Sequence, residues 1–132
     1  MHSLTVQTSR RKELKLITGQ VAALVREQGW KNGALLLFCP HTTAALTVNE
    51  AADPDVAHDM RGFMSRLVPE LPDFRHAEGN SDAHIQASLF GPHCMLIVED
   101  GQICLGTWQG IYFCEWDGPR GRSLWARFLP GV

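Results

Sequence analysis

The order of apolar patterns predicts an α+β domain, with about eight strands in a mostly antiparallel or mixed sheet and about three helices on one side. Three observations carry this expectation. Alternating segments open and close the chain, an amphipathic stretch led by a proline lies at its centre, and Asp100-Gly101 joins two β-rich runs. The 132 residues, 45% hydrophobic and 20% charged, fit a single domain spanning 1–132.

Leu4–Thr8 and Glu13–Leu16 alternate about a polar turn at Ser9–Lys12, which predicts a hairpin. Thr18 is placed to cap a helix that buries Val21, Leu24 and Val25 and stops at Gly29. Gly33–Cys39 is continuously apolar, as in a strand covered on both faces, and Pro40 separates it from a strand at Thr42–Val48. Asp53 caps a second helix with Pro54 at its first position, and Pro69 ends it. Val56, Met60, Phe63, Met64 and Leu67 fall on one stripe of that helix, which is expected to face the core. Gly62 inside it points to close approach by another backbone. A third helix is predicted from Ser81 to Phe90, capped by Asn80 or Ser81, with Gly91 beyond its end. Strands follow at Cys94–Glu99, Gln102–Leu105, Ile111–Trp116 and Arg122–Leu129.

A net charge of -2 provides no basic field to gather nucleic acid or an acidic membrane. No stretch approaches membrane-spanning length, and the first residues lack a signal-peptide pattern. Four cysteines sit in apolar runs without CxxC spacing, which favours core-packed thiols over a zinc knuckle and a cytoplasmic setting.

Polar chemistry is concentrated in four short segments. The first is Pro40-His41-Thr42-Thr43, where an imidazole and two hydroxyls follow a buried strand. The second contains Asn49, Glu50, Asp53, Asp55 and Asp59, with Asp55 and Asp59 four apart on one helix face. His76, Glu78, Asn80, Asp82 and His84 form the third, a histidine–carboxylate mixture that suits a divalent metal (Zn, Mn or Mg) with an open coordination position. Its spacing matches no strict metal motif, and a capped helix with a polar entry loop would explain part of it. The fourth joins Trp108 and Gln109, a stacking face and an amide, to Arg120 and Arg122, whose guanidinium forks suit phosphate or carboxylate. The metal candidates are His41, His76 and His84. Catalytic roles are expected of His41, Glu50, Asp59 and Glu78, with Glu50 or Glu78 handling a proton, and ligand contact of Thr42, Thr43, Asn49, Asn80, Trp108, Gln109, Arg120 and Arg122.

The stretches His41–Glu50, Asp53–Val56 with Asp59, Gly79–His84, Leu105–Gly110 and Glu115-x-Asp117-Gly118-Pro119-Arg120-x-Arg122 occur in this order over nearly the whole chain. They resemble a family labelled secondary thiamine-phosphate synthase, earlier catalogued as an uncharacterised, YjbQ-like family. The resemblance implies a homotrimer with the polar segments gathered in a cleft near subunit boundaries. It also implies joining an aminopyrimidine diphosphate to a thiazole phosphate with release of pyrophosphate. Two other readings stand beside it: a metal-dependent hydrolase of a small phosphorylated or carboxylated molecule, and a non-catalytic small-molecule binding module.

Overall fold

The computed structural model describes residues 1–132 and contains eight strands and three helices. In chain order these are β1 (His2–Gln7), β2 (Glu13–Leu16), α1 (Thr18–Gln28), β3 (Gly33–Phe38), β4 (Ala44–Glu50), α2 (Pro54–Leu67), α3 (Ser81–Phe90), β5 (His93–Glu99), β6 (Gln102–Cys104), β7 (Gln109–Glu115) and β8 (Gly121–Pro130). The strands form two antiparallel sheets, ordered β1-β8-β3-β5-β6 and β2-β7-β4. The α+β expectation therefore holds, with the strands divided between two layers.

Side-chain alternation decides the layering. Leu35, Leu37, Leu96, Val98 and Leu124 of the larger sheet meet Leu46, Ile111 and Phe113 of the smaller one, with Val21, Leu24 and Val25 of α1 closing the same core. The opposite face of the smaller sheet presents Ala45, Tyr112, Cys114 and Trp116 to Met64 and Val68 at the end of α2 and to Ala83 and Ala87 of α3. Strand β7 is thus covered on both faces, and all but its first residue is buried.

The local signals that matched did so for the expected reasons. Asp53 accepts a hydrogen bond from the Asp55 N–H at 2.9 Å, capping α2 ahead of Pro54. Gly29 ends α1 in the left-handed region, and Asp100 and Gly101 both take positive φ between β5 and β6.

Several expectations are corrected. Strands β1 and β2 do not pair as a hairpin, because β1 joins β8 and β2 joins β7 in the other sheet. Thr18 does not cap α1; Ile17 holds the cap position, and the Thr18 hydroxyl accepts the Ile111 N–H across to β7. The α2 stripe does not face the core as a whole: Met64 is buried, while Phe63 and Leu67 are more than half exposed. The space around Gly62 is open, so no neighbouring backbone approaches it. Close packing instead requires glycine at Gly33, Gly110 and Gly118, where a Cβ would stand 2.2 Å from the Leu129 carbonyl oxygen, 2.5 Å from the Ala51 Cβ and 2.5 Å from the Arg10 carbonyl oxygen. Of the cysteines, Cys39 and Cys114 are buried, Cys94 is partly buried and Cys104 is exposed. Strand β3 is covered on one face only: Phe38 points outward beside Trp125 of β8, and Met95 and Ile97 of β5 continue the same exposed face.

An ionic anchor holds α3 in place. Arg11 donates from both terminal nitrogens to the two Asp82 oxygens at 3.1 and 3.2 Å, and Lys12 donates to Asp82 at 2.8 Å and to the buried Gln86 amide. Gln86 in turn donates to the Met64 and Val68 carbonyls, tying α3 to the end of α2. Burial by itself would raise the Asp82 carboxyl, but the bonds from Arg11 and Lys12 outweigh it and bring its pKa down to about 2. A depressed folded-state value contributes stability above the unfolded carboxyl range that disappears as pH falls through it. Asp82→Asn is expected to cost about 2 kcal/mol near neutral pH. Urea titrations should show that difference shrinking as pH drops from about 4 toward 2.

Candidate functional site

Three loops converge where the smaller sheet, β8 and α3 meet. One runs from Pro40 to Thr43 between β3 and β4, the second from His76 to Asn80 before α3, and the third from Asp117 to Arg120 between β7 and β8. Together with His84 and Arg122 they line a cleft of about 400 Å³ without a single hydrophobic residue. Ligand sites are usually walled by apolar side chains, so a lining in which every residue but Pro40 is polar or charged points to a small charged or strongly polar occupant.

The floor is a buried ion pair. Arg122 donates through Nε to Glu115 Oε1 at 2.8 Å and through Nη2 to Glu115 Oε2, and the same Nη2 reaches the Thr43 hydroxyl at 2.8 Å. Glu115 also accepts from the Thr8 hydroxyl at 2.8 Å and the Asp117 N–H at 3.1 Å. Burial would raise the Glu115 carboxyl, yet these donors, Arg122 foremost, hold it below the ordinary carboxylate value. Arg122 is therefore committed to the fold; only 3% of its side chain is exposed. The arginine available at the mouth is Arg120, half exposed and steadied by Asp117 at 3.3 Å.

His41 accepts the Ser123 N–H at its Nε2, 2.9 Å away. That bond requires an unprotonated Nε2 and leaves the proton of a neutral ring on Nδ1. Burial first, and the Arg122 charge second, push His41 below its ordinary value and favour this neutral form. His41 is thus held in one tautomer at the cleft wall.

The other two histidines meet each other. The rings of His76 and His84 pack edge to face with centroids 5.3 Å apart, and Glu78 Oε1 lies 3.9 Å from His76 Nε2. Two imidazoles and a carboxylate are the donor types that a divalent ion takes. No three or more His, Cys, Asp or Glu side chains stand ready-arranged around one point, so an ion here would need oxygen donors from its ligand or solvent.

Of the residues singled out in the sequence, His41, Thr42, Thr43, His76, Glu78, Asn80, His84, Arg120 and Arg122 share this cleft. The remainder lie elsewhere. Asn49 and Glu50 stand at the far end of β4 from Thr43, roughly 20 Å away at strand rise. They face the end of β7 that carries Gln109. The Asn49 side chain accepts the Glu50 N–H, and Tyr112 donates to the Glu50 carbonyl. Gln109 closes its own loop by accepting the Gly106 N–H, and Trp108 is 63% exposed. Asp59 is exposed on α2, with only His58 nearby at 3.4 Å. Asp117, inside the fourth polar segment, is a cleft residue that the sequence pattern does not single out. It accepts from Asn80 at 2.8 Å and contacts Arg11 and Arg120, and the signal that could have found it is its place two residues after the buried Glu115.

Comparisons with known proteins agree on a single family. The family described as "UPF0047 protein YjbQ-like" matches residues 2–131. A UPF0047 protein of Methanocaldococcus jannaschii is 46% identical over 124 residues, covering 94% of this chain and 90% of that protein. The UPF0047 protein YugU of Bacillus subtilis is 45% identical over 130 residues, 98% of each. Among solved structures, an uncharacterized conserved protein of the yjbq/upf0047 family from Clostridium acetobutylicum superposes with a TM-score of 0.93 at 44% identity, covering 98% of this chain and 100% of that one. A conserved hypothetical protein from Thermus thermophilus gives 0.92 at 42% identity, again over 98% and 100%. These relatives carry UPF0047 names rather than a thiamine-phosphate synthase name, so the synthase family label drawn from the sequence motifs is corrected.

The buried pair generates a test of the cleft floor. Glu115→Ala leaves the Arg122 guanidinium buried without its counter-charge and is expected to cost about 3–5 kcal/mol. The double variant Glu115→Leu with Arg122→Met should recover most of that stability in urea unfolding while leaving the Thr43 loop without its anchor. A cost below about 1 kcal/mol for Glu115→Ala would mean that solvent reaches the pair.

Proposed function

This chain belongs to the YjbQ-like UPF0047 family, and from that premise we propose that it is an enzyme acting on a small phosphorylated molecule held in the polar cleft. The observation that carries this reading is the convergence of Arg120, Thr42, Glu78 and three histidines on a cavity lined, apart from Pro40, by polar and charged residues. Arg120 offers a guanidinium fork to a phosphate, and Asp117 orients it. Thr42 offers a hydroxyl beside it. His76 and His84 are the residues that would hold a divalent ion, which when bound would neutralise charge developing on a phosphate oxygen. Glu78, exposed at the cleft edge next to His76, is placed to accept or return a proton. The pyrophosphate-releasing condensation of an aminopyrimidine diphosphate with a thiazole phosphate is one reaction within this class and serves as one assay.

The trimer belongs to the same proposal. The outward row of Phe38, Met95, Ile97 and Trp125 on the larger sheet is the surface that further copies of the chain would cover. No helix is long and apolar enough to cross a membrane, and four free thiols support a reducing, cytoplasmic setting.

Calorimetric titration with Mn²⁺ and then inorganic phosphate tests the site. The intact protein is expected to bind both, His76→Ala and His84→Ala to lose the metal, and Arg120→Ala to bind phosphate about tenfold more weakly. Unchanged phosphate binding in Arg120→Ala, together with no metal uptake by the intact protein, would overturn the reading. Light scattering should give about three times the 14.7 kDa chain mass, and Ile97→Asp should lower it; a 14.7 kDa species at micromolar concentration counts against the trimer.

A further inference from the structure

We infer that His41 serves the cleft as a fixed hydrogen-bond donor, its Nδ1–H bound to an oxygen of the ligand's phosphate beside Arg120, and that it neither holds a metal nor takes a proton. This rests on the reading of the cleft as a phosphate site and gives a role to the one histidine which that reading leaves without one.

The tautomer is set by the way the strands end. Strand β3 stops at Phe38 opposite Trp125, and Pro40, two residues on, has no N–H with which to continue the ladder. The Ser123 N–H lies in β8 beyond that last pair, and His41 Nε2 accepts it at 2.9 Å. A proton on Nε2 would face the proton of Ser123, so the ring keeps its lone pair there and its hydrogen on Nδ1.

Two common uses of an imidazole are closed by this bond. A metal ion takes a nitrogen lone pair, and the one that the neutral ring has is spent on Ser123. A general base needs the same lone pair. The metal role that the sequence suggests for His41 is therefore set aside, and His76 and His84 keep it.

What is left is a donor. Nδ1 has no partner within the protein, and the unpartnered side-chain atoms that are fully buried are Asn80 Oδ1 and Trp116 Nε1, so Nδ1 is open to solvent. The two ring nitrogens point apart, and with Nε2 turned into β8 the Nδ1–H points away from that strand. His41 lines the cleft, and the charges of Arg122 and Arg120 both reach its ring. Arg122 is spent on Glu115, which leaves Arg120 and the Nδ1–H to share one anion. A neutral N–H held in place before the ligand arrives stabilises negative charge developing on an oxygen without surrendering its proton.

Nitrogen NMR of the intact protein, labelled with ¹⁵N-histidine, reads the ring directly, with inorganic phosphate as the probe. Without phosphate, His41 is expected to show a protonated Nδ1 and a bare Nε2. Added phosphate should move the Nδ1 proton downfield and slow its exchange with water, while Nε2 stays unprotonated. In calorimetric titration His41→Ala is expected to weaken inorganic phosphate about tenfold. His41→Asn, whose amide nitrogen stands near the Nδ1 position, should recover most of that loss. A ring carrying its proton on Nε2, or an Nδ1–H signal unmoved at phosphate concentrations that saturate calorimetric binding, overturns the inference and leaves the phosphate site standing. Failure of phosphate to bind the intact protein overturns both. The NMR comparison needs only unaltered protein and decides the matter even where the His41 variants do not fold.

Discussion

The Glu115–Arg122 pair is the constraint on which the rest of this structure depends. Glu115 closes β7 in the smaller sheet and Arg122 opens β8 in the larger one, so their bond rivets the two layers at one end. Charges removed from water are tolerated only where every donor and acceptor is met. Here Thr8 and the Asp117 N–H complete the carboxylate, and Thr43 shares the Nη2 end of the guanidinium. The three loops that carry the candidate chemistry each touch this pair or the residues that complete it. A buried, hydrogen-bonded floor beneath a polar cleft is the physical result.

Above that floor, charges are assigned rather than scattered. Arg122 balances Glu115, while Arg11 and Lys12 balance Asp82. Asp117 links the two networks by contacting both Arg11 and Arg120. What remains largely uncommitted is the exposed half of Arg120 toward the mouth and the His76–His84 pair with Glu78. A site is read more reliably from groups that the fold leaves uncommitted than from the number of polar residues in a segment.

Much of this architecture was legible in the sequence wherever the signal was local. Asp53-Pro54 and Asp100-Gly101 have backbone requirements that few other conformations meet, and both formed as expected. Of the three expected helices, α3 matched residue for residue. The failures were all of long range. Thr18 is a good capping residue, but the Ile111 N–H of a neighbouring strand claimed its hydroxyl. The polar turn at Ser9–Lys12 resembled a hairpin, yet Thr8 is bound across to Arg120 while Arg11 and Lys12 face α3, so the flanking strands part into different sheets. The α2 stripe rests on periodicity alone, which shows a helix to be two-sided without saying how much of the richer side finds a partner. The run from His41 to Glu50 looked like one motif, but an extended strand carries its two ends far apart. Arg120 and Arg122 differ by two positions and share a face in sequence logic, whereas only one of them reaches solvent. No pattern in one dimension distinguishes an arginine that binds a ligand from one that holds up the binding site.

The outward face of the larger sheet has a practical consequence. Phe38 and Trp125 stack there with ring centres 6.1 Å apart, flanked by the exposed thioether of Met95 and the branched side chain of Ile97. Wherever this face is left open to water, the chain would adsorb to glass and plastic, recruit detergent and cling to its neighbours as it left the ribosome. Handling losses at nanomolar concentration would then report on a bare hydrophobic face, not on weakness in the fold beneath it.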